Sequence, residues 1–242
     1  MVHVIRPLPV EHLKLLVFDL DGTLIDSARD LCNSVNATLN HFSCETLPDM
    51  VVDSYIGDGA VMLVRRALFG LEADVVDEDF LSQAYAFFLD YYREHKLDFT
   101  YAYAGVKEAL EALRQLPDGR ARTMSVLTNK PVRPAQAICK ALGLAPHFLH
   151  IYGGNSFAVK KPDPLGLRSL MDEAGAGPEE TVMIGDSEVD VMTARNAGVW
   201  SVGCTFGLSP QSLVDTPPDV LVDAPMEWMA ALNAATSGVG PA

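Results

Sequence analysis

The stretch Leu13-Lys14-Leu15-Leu16-Val17-Phe18-Asp19-Leu20-Asp21-Gly22-Thr23 decides how the rest of this chain is read. A short apolar run closes on Asp-Leu-Asp-Gly-Thr. Such a run, bounded by a turn signal, suits a strand buried on both faces of a parallel sheet. Asp19 and Asp21 lie two apart, so an extended backbone points both the same way. Gly22 then lets the chain turn sharply. The result is two carboxylates at the carboxyl end of a central strand, where open α/β sheets bind ligands. Asp-Gly is also an ordinary turn pair, so the two acids gain meaning only if the rest of the chain supplies partners.

On the amino side, residues 1–12 hold two prolines and no clear period, and a loose lead-in is expected there. On the carboxyl side, Asp26 or Ser27 can cap a helix in which Leu31, Val35, Leu39 and Phe42 recur at helical spacing. Pro48 breaks that pattern. Gly57-Asp58-Gly59 reads as a loop opening a second helix, with Val61, Val64 and Leu68 on one side and Gly70 ending it. Phe80, Ala84, Phe87, Phe88 and Tyr91 mark a third helix, and this aromatic stripe reads as the segment's own core. Residues 27–98 are thus expected to form an all-helical insertion within a core of residues 1–26 and 99–242.

From Gly105 the texture alternates. Helices are expected at Val106 to Leu113, Ala135 to Leu142, Pro164 to Ala174, Val189 to Ala197 and Met226 to Leu232. Strands are expected at Met124 to Leu127, Phe148 to Tyr152, Thr181 to Ile184, Val199 to Cys204 and Asp219 to Val222. This alternation predicts an α/β fold, a doubly wound parallel sheet covered on both faces with right-handed connections. The Ala/Ser/Gly tail after Asn233 is expected to fray.

Composition narrows the function classes. The 242 residues suffice for one large domain or two modest ones, and 49% hydrophobic with 21% charged residues is ordinary for a globular protein. A net charge of −14 repels nucleic acid and anionic membrane surfaces, so neither is an expected partner. It also repels phosphorylated substrates, so an enzyme acting on them needs local positive charge, a metal above all. Cys32, Cys44, Cys139 and Cys204 are scattered and the histidines show no HxxxH spacing, which argues against zinc. Free thiols, no signal-peptide pattern and no apolar run of membrane-spanning length point to the cytoplasm.

Three further signals follow strands of the second part. Thr128-Asn129 comes after the strand ending at Leu127, and Lys161 stands in Lys160-Lys161-Pro162-Asp163-Pro164. Asp186 and Asp190 stand in Gly185-Asp186-Ser187-Glu188-Val189-Asp190. Each alone is a common cap or turn. Together they place acid, hydroxyl, base and acid at the sheet edge that carries Asp19 and Asp21.

These four motifs, in this order, resemble those of the haloacid-dehalogenase-like hydrolase superfamily, and the helical insertion after the first resembles its first type of cap. The resemblance runs from Leu13 to about Leu232 and implies a Rossmann-like core. Tyr55-Ile56-Gly57-Asp58-Gly59-Ala60 and Leu63-Val64-Arg65-Arg66-Ala67-Leu68 further resemble the phosphoglycolate phosphatases. The resemblance implies Asp19 as nucleophile, attacking phosphorus to form an aspartyl-phosphate, and Asp21 as general acid and then base. It implies Mg2+ held by Asp19, the backbone carbonyl of Asp21 and Asp186. Thr128 binds a phosphoryl oxygen, Lys161 supplies positive charge, and Asp190 orients Lys161 or metal water. Asn129 helps place the substrate or the acids. Lys130 and Lys160 are read as surface charge.

The expected substrate is a small phosphorylated metabolite, with 2-phosphoglycolate first. A sugar phosphate, nucleotide or pyrophosphate as substrate, or a phosphomutase, stand as alternatives. Asp21 argues against a dehalogenase, and Lys96, alone in the insertion and outside any matching motif, against phosphonate cleavage. Gly57, Asp58 and Gly59, as a helix amino terminus, and Arg66 are the candidate readers of a substrate carboxylate. Against them, Asp58 could cap that helix, and Arg66 could pair with Glu72 or Asp74. A monomer or homodimer is expected.

Overall fold

The computed structural model describes residues 1–71, 76–116 and 118–233. The tail after Asn233 and the acids Glu72 and Asp74 lie outside the described residues. In chain order the elements are β1 His3–Val4, β2 Leu15–Phe18, β3 Ile25–Asp26, α1 Ala28–His41, α2 Asp49–Asp53, α3 Ala60–Phe69, α4 Glu78–His95 and β4 Tyr101–Ala102. There follow α5 Val106–Ala112, β5 Thr123–Leu127, α6 Val132–Ala141, β6 Ile151–Tyr152, α7 Leu165–Ala174, β7 Thr181–Gly185, α8 Glu188–Ala197, β8 Trp200–Cys204, α9 Ser212–Asp215, β9 Val220–Val222 and α10 Glu227–Asn233.

Strand β2 lies at the centre of a sheet ordered β1-β9-β8-β7-β2-β5-β6. Its four residues are fully buried. Alternate side chains go to opposite faces, as the period of two requires. Leu16 and Phe18 pack with Leu110, Ile138 and Trp228, while Leu15 and Val17 pack with Leu167, Leu170 and Ala194. Helices cover both faces, which is why β2 reads as unbroken apolar sequence. Phe18 pairs in parallel with Val126 of β5 and Ile184 of β7. That shared register ends three strands at one level and delivers the residues that follow them to one edge.

The lead-in is more ordered than expected. His3 and Val4 pair antiparallel with Leu221 and Val220 of β9. Both residues of β1 are exposed, so a two-residue edge strand left no alternation to read. Further along, Leu8 and Val10 are buried. The strand expected from Phe148 is only Ile151–Tyr152, because a 3-10 turn at Ala145–His147 holds the preceding chain.

Between β3 and β4 the described chain is helical. Helices α1, α3 and α4 pack together through Leu31, Val35, Leu63, Val64, Ala84 and Phe88. The two ends of this insertion meet as a ribbon, with Ile25 opposite Ala102 and Asp26 opposite Tyr101. Asp30, 1% exposed in the first turn of α1, clasps the ribbon's other side. It accepts bonds from the Phe99 and Thr100 N–H groups and from Thr100 Oγ1 at 2.7–3.1 Å.

Replacing Asp30 with alanine strands these buried donors. Asp30→Ala is expected to lower stability by roughly 1–3 kcal/mol, read as an earlier urea midpoint. An unchanged midpoint would show that the clasp contributes nothing.

Candidate active site

The edge at which β2, β5 and β7 end collects the residues the sequence singled out. Asp19 follows β2 directly, Thr128 and Asn129 follow β5, and Asp186 follows β7. Lys161 lies in the loop before α7 and Asp190 in the first turn of α8. Lys161 Nζ lies 2.8 Å from Asp19 Oδ1 and 2.6 Å from Asp190 Oδ1. The other oxygen of Asp190 accepts bonds from Ser187 N–H and Ser187 Oγ, so both its oxygens are engaged. Thr128 Oγ1 accepts from Lys130 N–H at 3.2 Å and keeps its own proton to donate.

Asp21 has a partner that the sequence reading missed. Lys130, expected on the surface, is 5% exposed, and its ammonium donates to both Asp21 oxygens at 3.0 and 3.2 Å. Ser27 Oγ donates to Asp21 Oδ1 at 2.5 Å. Burial alone would lower the Lys130 pKa, but Asp21 and Tyr92 outweigh it and the net shift is upward. Lys161 is likewise raised, with Asp19 and Asp190 overcoming its burial. Lys160 is exposed, as expected, and donates to the Asp58 backbone carbonyl.

Asp186 is held by a loop that the motifs do not include. Leu208 and Ser209 donate their N–H groups to Asp186 Oδ2 at 2.7 and 3.1 Å. Oδ1 receives only a long 3.4 Å contact from Thr23 Oγ1. Two glycines close on the same carboxylate. A Cβ on Gly22, whose φ is +83°, would sit 2.1 Å from Asp186 Oδ2, and one on Gly207 would sit 2.2 Å from Asp186 Cβ. The only sequence signal for this loop is Gly207, between Phe206 and Leu208 after β8.

Three of the acids crowd one another: ligand oxygens of Asp19, Asp186 and Asp190 all lie within 4.8 Å. Burial, then the Asp190 and Asp19 charges, push the Asp186 carboxyl up to about 8. Burial also raises Asp19, against the pull of Lys161. With all four ionised, Asp19, Asp21, Asp186 and Asp190 exceed the two ammonium groups, Lys130 and Lys161, by two charges, and that excess adds to burial in raising Asp186 and Asp19. A divalent cation with a preference for oxygen would fit that deficit of positive charge, and Asp19 and Asp186 Oδ1 are the carboxylate oxygens that could hold it.

The helical insertion roofs the site. A small cavity of about 50 Å³ is lined by Asp19, Asp21, Thr128, Asn129, Lys130 and Asp186 below. Gly57, Gly59, Leu63, Phe88 and Tyr92 line it from the helices above. Asn129 Nδ2 donates to Gly57 O at 3.2 Å and to Lys161 O at 3.1 Å, which ties roof to floor. Asp58 does not cap α3; Gly59 holds the cap position without a side-chain bond. Arg66 is not brought to the cavity. Its guanidinium turns to Asp58 Oδ2 at 2.5 Å and Tyr55 O at 3.2 Å.

This fold and this edge define a family. Residues 16–204 match the model of the haloacid dehalogenase-like hydrolases, and the chain belongs to that family. It is 37% identical over 217 residues to the phosphoglycolate phosphatase of Neisseria meningitidis serogroup A, covering 88% of this chain and 91% of that protein. The phosphoglycolate phosphatase of Chromobacterium violaceum is 38% identical over 205 residues, covering 84% and 90%. The crystal structure of a predicted phosphoglycolate phosphatase from Haemophilus somnus 129PT superposes with a TM-score of 0.83 at 32% identity, over 90% of this chain and 97% of that one. Among the described residues, no helix is long and apolar enough to cross a membrane.

The grip of Gly207 on Asp186 gives a direct test. Gly207→Ala is expected to weaken Mg2+ binding by roughly 10–100-fold, measured by titration calorimetry. Unchanged affinity would separate Asp186 from metal binding.

Proposed function

We propose that this chain is a Mg2+-dependent phosphatase that hydrolyses 2-phosphoglycolate to glycolate and phosphate through an aspartyl-phosphate on Asp19. The chain is a phosphoric monoester hydrolase of the haloacid dehalogenase-like family. The observation that carries the finer reading is the small cavity in which Asp19, Asp21 and Thr128 meet beneath the helical roof.

Asp19 Oδ attacks phosphorus in line as the P–O ester bond breaks. Asp21 gives its proton to the departing alkoxide, then takes one from the water that opens the acyl phosphate. Lys130 and Ser27 fix the Asp21 carboxyl for both transfers. Thr128 donates its hydroxyl to a phosphoryl oxygen, and Lys161, fixed by Asp190, sets positive charge beside the nucleophile. Asp19, Asp186 and the backbone carbonyl of Asp21 would hold Mg2+, which offsets the charge between carboxylate and phosphate.

We assign residues 27–98 as a cap that closes over this site and excludes water, with Gly57, Gly59 and Asn129 at the seam. The four free cysteines suit a reducing compartment such as the cytoplasm.

Asp19→Asn keeps the shape but removes the attacking charge. It is expected to cut turnover of 2-phosphoglycolate by several orders of magnitude. EDTA is expected to abolish wild-type turnover, and Mg2+ to restore it where Ca2+ does so poorly. Near-normal turnover by Asp19→Asn would rule out the covalent route, and full activity in metal-free buffer would rule out the metal.

A further inference from the structure

A two-carbon ester carries a carboxylate as well as a phosphate, and that carboxylate needs its own partner inside the cavity. Arg66 does not provide it, since its guanidinium is tied to Asp58 and Tyr55 O. Among the described residues lining the cavity, Lys130 is the one lysine or arginine. Its ammonium carries three protons, and Asp21 takes two of its hydrogen bonds.

Tyr92 stands opposite, on α4. It is 3% exposed, it lines the same cavity, and its hydroxyl oxygen meets only the Lys130 ammonium, so the hydroxyl proton has no acceptor. Its ring centroid lies 4.7 Å from Lys130 Nζ. A buried hydroxyl proton left without an acceptor costs free energy, and native structures seldom leave one without a reason. Burial pushes the Tyr92 pKa up to about 12 despite Lys130, so the group is a neutral O–H donor at physiological pH. Around it the helical wall is apolar, built from Leu31, Ile56, Leu63, Phe88 and Leu89. These side chains offer an anion nothing in competition.

We propose that the Tyr92 hydroxyl and the Lys130 ammonium together hold the substrate's carboxylate, an assignment that rests on the phosphoglycolate reading. The spacing along the substrate agrees. One methylene separates the carboxylate from the ester oxygen. A carboxylate on Lys130 therefore leaves that oxygen beside Asp21, which Lys130 also holds. Tyr92 comes from the helical insertion and Lys130 from the sheet edge. The carboxylate is gripped from both sides only with the roof in place, and an ester without a carboxylate forgoes that grip.

The test compares kcat/KM for 2-phosphoglycolate and for ethyl phosphate in wild type, Tyr92→Phe and Arg66→Ala. Wild type is expected to prefer phosphoglycolate. In Tyr92→Phe that ratio is expected to fall roughly 10–100-fold, as for loss of a hydrogen bond to a charged group. Arg66→Ala is expected to retain the ratio. Lys130→Gln is a second variant: taking the ratio cancels whatever the change at Asp21 does to both esters, and the ratio is expected to fall here too. A ratio that survives Tyr92→Phe and Lys130→Gln overturns the assignment, even if both kcat/KM values drop together. A ratio that collapses in Arg66→Ala alone also overturns it, in favour of the arginine. Equal kcat/KM for the two esters in wild type overturns the phosphoglycolate reading itself, and the carboxylate site with it.

Discussion

Four carboxylates share one end of this sheet with two lysines, and much of the surrounding structure answers that imbalance. Like charges buried within a few ångströms oppose folding unless each is paired or solvated. The chain divides the burden. Lys161 sits between Asp19 and Asp190, Lys130 takes Asp21, and two backbone N–H groups hold Asp186. Unbroken apolar packing on both faces of β2 supplies the stability against which this strained cluster is set. On the function proposed above, the net deficit would give a cation a reason to bind, and that cation would let a dianionic phosphate approach an anionic nucleophile.

The same arrangement separates two tasks. On the function proposed above, residues at the ends of β2, β5 and β7 deal with the phosphoryl group, which every substrate of this chemistry shares. The helical roof covers the cavity, and its wall is apolar apart from the Tyr92 hydroxyl and the backbone around Gly57 and Gly59. Lys130 belongs to both sides. It holds Asp21 and stands beside the roof's tyrosine, so on the roles proposed above recognition and proton transfer would meet at one ammonium.

Much of this was legible in the chain. The apolar run into Asp-Leu-Asp-Gly-Thr located the central strand, and the later motifs located their neighbours, because each ends a strand or opens a helix with residues of distinct chemistry. What escaped lacked a local signature. Lys130 follows Thr128-Asn129 and precedes Pro131, a context that reads as an exposed turn, and its burial depends on α4 folding down from far away in sequence. The helical periodicity around Tyr91 pointed to a packing stripe, and nothing in it distinguished Tyr92 as a polar group facing a cavity. The Leu208–Ser209 amides act through the backbone, which side-chain identities do not report. Strand β1 was missed because two exposed residues carry no pattern. Arg66 pairs with Asp58, two residues before α3, whereas the sequence offered Asp58 as a cap and Glu72 or Asp74 as the partners of Arg66.

The ribbon of β3 and β4 has a consequence of a different kind. Ile25 and Ala102 face each other across a ladder, where paired backbones stand about 5 Å apart. To the sheet, everything between them is equivalent to a hairpin loop of no particular length, because closing a longer loop costs little more once its ends are pinned. The helices of the insertion can therefore be lengthened, reshaped or exchanged over evolutionary time without moving Asp19 relative to Asp21. Reaction and recognition are written into separable parts of one chain, and the hinge of that separation is two residues wide.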